Sequence, residues 1–138
     1  MPGSIVRPFI DTNVLVYLAS GDRTKADRAE EILKEGGTIS VQVLNEFASV
    51  ARRKLGMTWS ETHVFLSTFR EVLTVVPMTE EIHVAGLALA ERYRLSVYDG
   101  MIVAAALDAG CDVVLSEDMQ DGLIVDGRLV IRNPLLGI

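Results

Sequence analysis

Cysteine and histidine are scarce in this sequence, and long apolar runs are absent. The one cysteine, Cys111, excludes an internal disulfide framework, fits a reducing cytoplasm and is expected to be a small core residue. The two histidines, His63 and His83, have no partner at metal-ligand spacing, which argues against zinc chemistry. No apolar run approaches the roughly 18 residues of a membrane span, and no secretory signal is visible. We therefore expect a cytoplasmic protein without a membrane segment.

Basic residues are outnumbered by acidic ones, 13 to 19, which gives a net charge of −6. A protein that simply clamps nucleic acid would be basic, so that class is disfavoured. An enzyme that holds nucleic acid through divalent ions stays compatible, because the ions would offset negative charge where the substrate lies. The first apolar run is not followed by a glycine-rich phosphate loop, which excludes a Walker or dinucleotide site. Ser116 has no histidine partner in the pattern, which argues against a Ser-His-Asp hydrolase.

The rest of the sequence alternates short apolar runs with helical patterns, over a length typical of one domain. Parallel strands need long crossovers, so this alternation predicts parallel pairing. Thr24, Thr58 and Thr79 are expected helix N-caps, and Asp126-Gly127 has the composition of a tight hairpin turn. The predicted strands cover residues 5–10, 38–41, 73–76, 112–115 and 129–131, and the predicted helices include residues 14–18, 43–55 and 101–107.

Four acidic residues stand where predicted elements begin or end: Asp11, Glu46, Asp99 and Asp118. Asp11 and Asp118 both follow apolar strands, so parallel pairing would bring them to one edge of the sheet. Open α/β sheets place their sites beyond the carboxyl ends of the strands, where the strand order reverses. A cluster of like charges is repulsive unless a cation lies among them, and hard divalent metals suit carboxylate oxygens. The sequence therefore predicts a metal site at this edge.

Each acid also has a purely structural interpretation when it is taken alone. Asp11 and Asp99 would be N-caps of the helices that follow them. Glu46, in about the first turn of its helix, would interact favourably with the positive end of the helix dipole or face solvent. Asp118 would belong to an acidic surface loop over residues 116–122. No single acid decides between the two interpretations; the joint placement of the four favours the metal site.

Other polar residues near these acids are candidates for supporting roles. Asn13 can hold a carboxylate or a metal-bound water through its side-chain amide. Ser116 offers a hydroxyl beside Asp118, and Asp121 could support this site or bind a second metal. Glu117 is expected to face water.

Four segments carry a resemblance to a known family: residues 9–15, 43–47, 98–106 and 115–118. In order, they resemble the four acidic motifs of the PIN-domain family and, within it, of the VapC-type ribonuclease toxins of toxin–antitoxin systems. Asn133-Pro134 is similar to the closing motif. Ser116 stands where the family often has Thr, and residues 119–122 replace a more usual aromatic ending, which leaves the role of Asp121 open.

The resemblance implies a three-layer α/β/α sandwich with an open, mainly parallel sheet of about five strands, formed as a single PIN-like domain over residues 1–138. It also implies an endoribonuclease that depends on Mg²⁺ or Mn²⁺. Asp11 and Asp99 would be the principal metal ligands, Asp118 would complete the coordination directly or through water, and Glu46 would orient or deprotonate the attacking water. The expected partners are an RNA substrate, an antitoxin protein that covers the site, and a second copy of the chain.

Two rival functions stay open. The first is a PIN-like module that binds RNA or protein without cutting. The second is a phosphatase with an aspartyl nucleophile at Asp11, although that class would have a second Asp where Asn13 stands.

The roles of two exposed-looking groups also stay open. The basic run at residues 52–54 fits helix-dipole complementarity or contact with RNA phosphates. Tyr17, Trp59 and Phe65 are expected in the core, with a dimer or antitoxin surface as the alternative.

Overall fold

The computed structural model describes residues 7–137, so the predicted strand residues Ile5 and Val6 lie outside the described part of the chain. The strands are β1 (Pro8–Ile10), β2 (Thr38–Ser40), β3 (Thr74–Val76), β4 (Val113–Leu115), β5 (Ile124–Val125) and β6 (Leu129–Arg132). The helices are α1 (Thr12–Val16), α2 (Arg23–Glu35), α3 (Val41–Arg53), α4 (Trp59–Val72), α5 (Glu80–Tyr93) and α6 (Val97–Asp108), and a 3₁₀ turn (Tyr17–Ala19) follows α1.

The strands form one sheet in the order β3-β2-β1-β4-β6-β5, flanked by helices. All pairings are parallel except that of β5 with β6. Strands β2 and β3 lie on one side of β1, and β4, β6 and β5 lie on the other. The strand order therefore reverses between β1 and β4, which is where an open sheet leaves a crevice at its carboxyl edge. The predicted α/β class and parallel sheet are confirmed.

The sheet has one strand more than the roughly five expected. The extra strand, β5, pairs with β6 through a hairpin whose two turn residues, Asp126 and Gly127, have φ of 52° and 66°. The Arg128 N–H donates to the Val125 carbonyl (3.0 Å), which closes the turn. Glycine adopts this left-handed conformation readily and aspartate tolerates it, so the hairpin interpretation of the Asp-Gly pair is confirmed.

Helix starts follow side-chain caps, and three predicted boundaries need correction. Thr24 is not an N-cap: α2 begins one residue earlier, after Asp22, whose side chain accepts from the Lys25 N–H. Ser40 caps α3, so β2 ends before Val41 and the helix begins two residues earlier than predicted. Ser96 caps α6, so Asp99 lies inside its first turn instead of before it. Thr58 and Thr79 are N-caps, as predicted.

Helix α6 is the most buried helix of the described residues, and it packs closely on α5. A Cβ atom added at Gly100 would lie 2.4 Å from the Gly86 carbonyl oxygen, and one added at Gly86 would lie 2.6 Å from the Met101 sulfur. A side chain at Gly100 would clash with backbone, whereas one at Gly86 would require the Met101 side chain to move. The helix backbone is therefore fixed next to Asp99, at the end of α6 that carries this acid.

The core is apolar on both sides of the sheet. Cys111 lies in it at 4% exposure, and burial raises the pKa of its thiol, so its prediction as a core residue is confirmed. Within residues 7–137, the structure has no helix that combines the length and the apolar character needed to cross a bilayer.

Candidate active site

Asp11 lies at the carboxyl end of β1, beside β4. Its N–H donates to the Leu115 carbonyl (3.0 Å), which extends the pairing of the two strands by one residue. Its Oδ1 accepts from the Thr12 N–H (2.7 Å) as the N-cap of α1. The N-cap interpretation is therefore correct, but it uses only one of the two carboxylate oxygens. The side chain is 5% exposed.

The second oxygen of Asp11 is held by Ser116, the first residue after β4. The Ser116 hydroxyl donates to Asp11 Oδ2 (2.8 Å) and accepts the N–H groups of Asp118 (3.2 Å) and Met119 (3.4 Å). Ser116 is fully buried. One hydroxyl thus joins the ends of β1 and β4 and fixes the turn that carries Asp118.

The Asn13 amide completes this network. Its Oδ1 accepts the Glu117 N–H (3.0 Å), which turns its Nδ2 toward the acids. Nδ2 lies 3.1 Å from Asp11 Oδ2, 3.2 Å from Asp118 Oδ2 and 3.3 Å from Ser116 Oγ. Asn13 therefore spans the two carboxylates and holds them near each other.

Glu46 reaches the same region from α3. It lies in the second turn of this helix, because the helix begins at Val41. The Thr12 hydroxyl donates to Glu46 Oε1 (2.8 Å). Thr12 is a site residue that the sequence analysis did not propose; its only signal was its position between Asp11 and Asn13 in a polar tripeptide between two apolar runs.

Asp99 approaches from α6 and is partly buried. Burial raises the pKa of its carboxyl, and the negative charge of Asp118 raises it further. The start of α6 is tied to α3 by a hydrogen bond from Gln42 Nε2 to the Tyr98 carbonyl (3.2 Å). Two helices that carry acids are thus fixed relative to each other.

The four acids meet in one open cavity of about 430 Å³. Its walls come from the ends of β1 and β4 and from α1, α3 and α6. The lining residues are Asp11, Thr12, Asn13, Val16, Tyr17, Glu46, Val50, Lys54, Leu55, Asp99, Glu117 and Asp118. The convergence predicted for Asp11, Glu46, Asp99 and Asp118 is therefore present in the structure.

The negative charges in this cavity repel one another. The pKa of Asp11 is raised from 3.8 to about 6, chiefly by burial, with smaller contributions from Asp99 and Glu46. The hydrogen bonds from Ser116 and Thr12 act in the opposite direction. A carboxylate in this position is stabilised by a nearby cation more than an exposed one would be.

Comparison with known proteins identifies the family. The PIN domain family model matches residues 9–120. This chain belongs to the PIN domain family. The match confirms the resemblance predicted from the four acidic motifs. No curated protein matches the chain.

Solved structures with this fold include toxin–antitoxin proteins. A toxin–antitoxin complex from Klebsiella pneumoniae is 23% identical, with a TM-score of 0.69 over 92% of this chain and 97% of that chain. DNA-bound VapBC from Salmonella typhimurium is 17% identical, with a TM-score of 0.68 over 94% and 99%. VapC20 from Mycobacterium tuberculosis, described as a sarcin-ricin loop cleaving toxin, is 18% identical, with a TM-score of 0.66 over 80% and 89%. At these identities the likeness shows the fold.

The donor set of this PIN domain fits a hard divalent cation. Mg²⁺ and Mn²⁺ are hard cations that bind carboxylate oxygens, and Mg²⁺ commonly uses one or two carboxylates and keeps several waters. Within residues 7–137, no three His, Cys, Asp or Glu side chains are close enough together to hold an ion by themselves. An ion in this cavity would therefore need waters to complete its coordination.

Glu117 and Asp121, two further acids of the loop after β4, differ in their relation to the cavity. Glu117 does not simply face water: it lines the cavity, accepts a hydrogen bond from the Tyr17 hydroxyl and lies 3.3 Å from Lys25 Nζ. Asp121 is not among the residues that line the cavity, and its Oδ1 accepts the Asn133 N–H (2.8 Å). The structure thus brings Asn13 and Ser116 to the acids but does not bring Asp121.

Proposed function

We propose that this PIN domain is an endoribonuclease that uses Mg²⁺ or Mn²⁺ to hydrolyse RNA phosphodiester bonds. The observation that supports this function is the convergence of Asp11, Glu46, Asp99 and Asp118 on one open cavity at the strand-order reversal. A phosphodiester is anionic, so an acidic cavity would repel it unless cations are bound there.

Asp11, Asp99 and Asp118 would hold the metal. When bound, a divalent ion lowers the pKa of a water to generate a nucleophile and offsets charge that develops on the phosphoryl oxygens. Asn13 and Ser116 position Asp11 and Asp118 through the contacts described above, so that little reorganisation is needed.

Glu46 would orient the attacking water and accept its proton. Its Oε1 is held by the Thr12 hydroxyl at 2.8 Å, which leaves Oε2 to face the water. A general base must lie within hydrogen-bond reach of the proton that it takes. Thr12 is a positioning residue in this scheme, because it acts through Glu46.

The biological role we infer is that of the toxin of a prokaryotic toxin–antitoxin pair. The similar structures include such complexes, and one of the similar proteins is described as a sarcin-ricin loop cleaving toxin. An antitoxin segment over the acidic cavity would block it, and a basic segment suits this charge. We further propose a homodimer in the cytoplasm, a compartment in keeping with the single buried cysteine.

The test is cleavage of single-stranded RNA by the purified chain, with metal removed by chelator and then restored. We expect cleavage with Mg²⁺ or Mn²⁺, no cleavage without them, and no cleavage by Asp11→Asn. Asp27→Asn is the matched control, since Asp27 is exposed on α2 and should keep full activity.

Retained cleavage by Asp11→Asn in a nuclease-free preparation would contradict the proposal. A folded chain that binds RNA but never cuts it would favour the inactive PIN-like module. A covalent phosphate on Asp11 would favour the phosphatase.

A further inference from the structure

Trp59 is the only tryptophan of the chain, and it is 59% exposed. Its expected use in the core is wrong, whereas Tyr17 and Phe65 do pack against the core. Trp59 is the first residue of α4, and the helix start is fixed by a capping box between Thr58 and Glu61. A large aromatic ring is therefore presented to solvent on a well-defined backbone.

The indole of Trp59 pairs with the guanidinium of Arg52. The guanidinium carbon of Arg52 lies 4.5 Å from the ring centroid of Trp59, and its Nη1 donates to the Met57 carbonyl. The His63 ring lies alongside, with its centroid at 6.1 Å. Arginine over an aromatic face is a favourable pair, and both residues are exposed to solvent.

The turn between α3 and α4 connects this pair with the acidic cavity. Lys54 and Leu55 line the cavity, and Trp59 follows at the far end of the turn. The turn is held by hydrogen bonds from the Lys54 N–H to the Val50 carbonyl (2.8 Å) and from the Met57 N–H to the Ala51 carbonyl (3.0 Å). The cavity wall and the indole thus belong to one ordered segment.

The same segment concentrates positive charge on an acidic protein. Arg52, Arg53 and Lys54 are consecutive and exposed, while the chain carries a net charge of −6. Of the ion pairs between described side chains, none involves these three residues. Their charge is therefore available to a ligand, directly beside the cavity in which a phosphodiester would react.

We propose that Trp59 and Arg52 form a stacking platform for a base of single-stranded RNA, with Lys54 contacting the phosphate between this base and the cavity. The inference rests on the proposed function and assigns a substrate-positioning site to it. Aromatic rings stack on any base, and Lys and Arg hold the backbone, so such a platform binds RNA with little sequence preference. A protein partner is less favoured, because a guanidinium lies over the ring and the adjacent residues Arg53 and Lys54 are charged and exposed.

The single tryptophan allows a direct test. The fluorescence emission of Trp59 should change saturably when a single-stranded oligoribonucleotide of about ten nucleotides is added to the Asp11→Asn variant, which leaves the RNA intact. An oligomer of the same length without bases should bind through its phosphates yet leave the emission nearly unchanged, because stacking needs a base. Binding itself is followed separately by the anisotropy of labelled RNA.

Kinetics of the active chain provide the second arm. Trp59→Leu should raise KM for RNA by about tenfold and change kcat by less than about twofold, since the platform binds RNA away from the reacting bond. Trp59→Phe should restore most of the affinity because it keeps a ring. Val64→Ala, an exposed apolar change on the same helix, is the matched control and should have no effect.

The outcomes separate this inference from the proposed function. Cleavage and RNA binding with unchanged Trp59 emission would overturn the platform and leave the nuclease in place. Loss of self-association in Trp59→Leu, by sedimentation, with RNA binding unchanged would assign the surface to a protein interface and also overturn it. A chain that neither binds nor cleaves RNA would overturn both proposals.

Discussion

Two cavities of this PIN domain place acidic residues in different surroundings. The cavity between α5, α6 and the β5–β6 hairpin, of about 520 Å³, includes Asp126, which accepts from Arg92 (3.2 Å) and from the Tyr93 hydroxyl (2.9 Å). In the cavity at the carboxyl edge, Asp11 faces other acids, and its pKa rises to about 6. Asp126 is therefore paired with a cation of the protein. Asp11 has no such partner among the described residues, so we propose that the chemistry takes place in the smaller cavity.

The largest expected effect separates the two cavities directly. Asp99→Asn should lower the cleavage rate by about a thousandfold or more, because several kcal/mol of charge stabilisation depend on the ion that it would hold. Asp126→Asn should leave the rate unchanged to within about twofold. The measurement is the single-turnover rate of RNA cleavage at saturating Mg²⁺. Equal losses in both variants would remove the distinction between the cavities.

A second effect concerns the base. Glu46→Gln should lower kcat by about a hundredfold, which is typical for loss of a general base, with little change in KM. Thr12→Val, which keeps the shape but removes the hydroxyl that holds Glu46, should have a smaller effect of about tenfold. Steady-state kinetics with the dependence of kcat on pH will show both. An unchanged rate in Glu46→Gln would assign this acid a structural role.

The raised pKa of Asp11 predicts a pH dependence of stability. The folded chain holds the Asp11 proton more tightly than the unfolded chain, because the pKa is about 6 when folded and ordinarily 3.8. The free energy of unfolding of the metal-free chain should therefore fall as the pH rises from about 4 to about 6, by about 2–3 kcal/mol for this group. Above that range the loss is complete.

Urea unfolding with chelator present, from pH 4 to pH 7, measures this quantity. Asp11→Asn should lack this part of the pH dependence, so the variant gains stability relative to the parent chain as the pH rises. A difference between the two chains that does not vary with pH would contradict the assignment.

The sequence predicts the fold better than it predicts the network that holds the site. The alternation of apolar runs and helical patterns is sufficient for the parallel sheet, because it depends on local periodicity. The acids were predictable from their positions at element ends. The contacts of Ser116 with Asp11 and of Asn13 with Asp118 were not, since they join residues more than a hundred positions apart in the chain.

Helix starts and surface aromatics show a second limit. Asp22 and Thr24 are both good capping residues, and only the observed backbone decides that Asp22 caps α2. Glu117 lines the cavity because Tyr17 and Lys25 lie across from it, which no local pattern indicates. Trp59 is exposed although its residue type favours burial, and its neighbour Arg52 comes from a different helix.

A packing variant tests the start of α6, next to Asp99. Gly100→Ala should lower the free energy of unfolding by about 2 kcal/mol, because the new Cβ would lie 2.4 Å from the Gly86 carbonyl oxygen. Gly21→Ala is the matched control, since no heavy atom lies within 4 Å of its added Cβ, and its effect should stay below about 0.5 kcal/mol. Denaturant unfolding measures both. Equal free energies of unfolding for the two variants would show that α5 and α6 can move apart to accommodate the new Cβ.

The smallest effect belongs to the ion pair of the larger cavity. Arg92→Ala should cost less than about 1 kcal/mol of stability, because the Arg92 side chain is 69% exposed and water screens the pair. Cleavage should be unchanged. A large loss of cleavage in this variant would show that the hairpin cavity is coupled to the acids at the sheet edge.

We propose that the acids at the carboxyl edge of the sheet bind a divalent ion. The most direct measurement is the anomalous signal of a crystal soaked in Mn²⁺. We predict a peak within coordination distance of a carboxylate oxygen of Asp11 and one of Asp99, absent from crystals of Asp11→Asn. A soaked crystal with no peak in this cavity, and with Asp11 still bound only to Ser116, Asn13 and Thr12, would contradict the account.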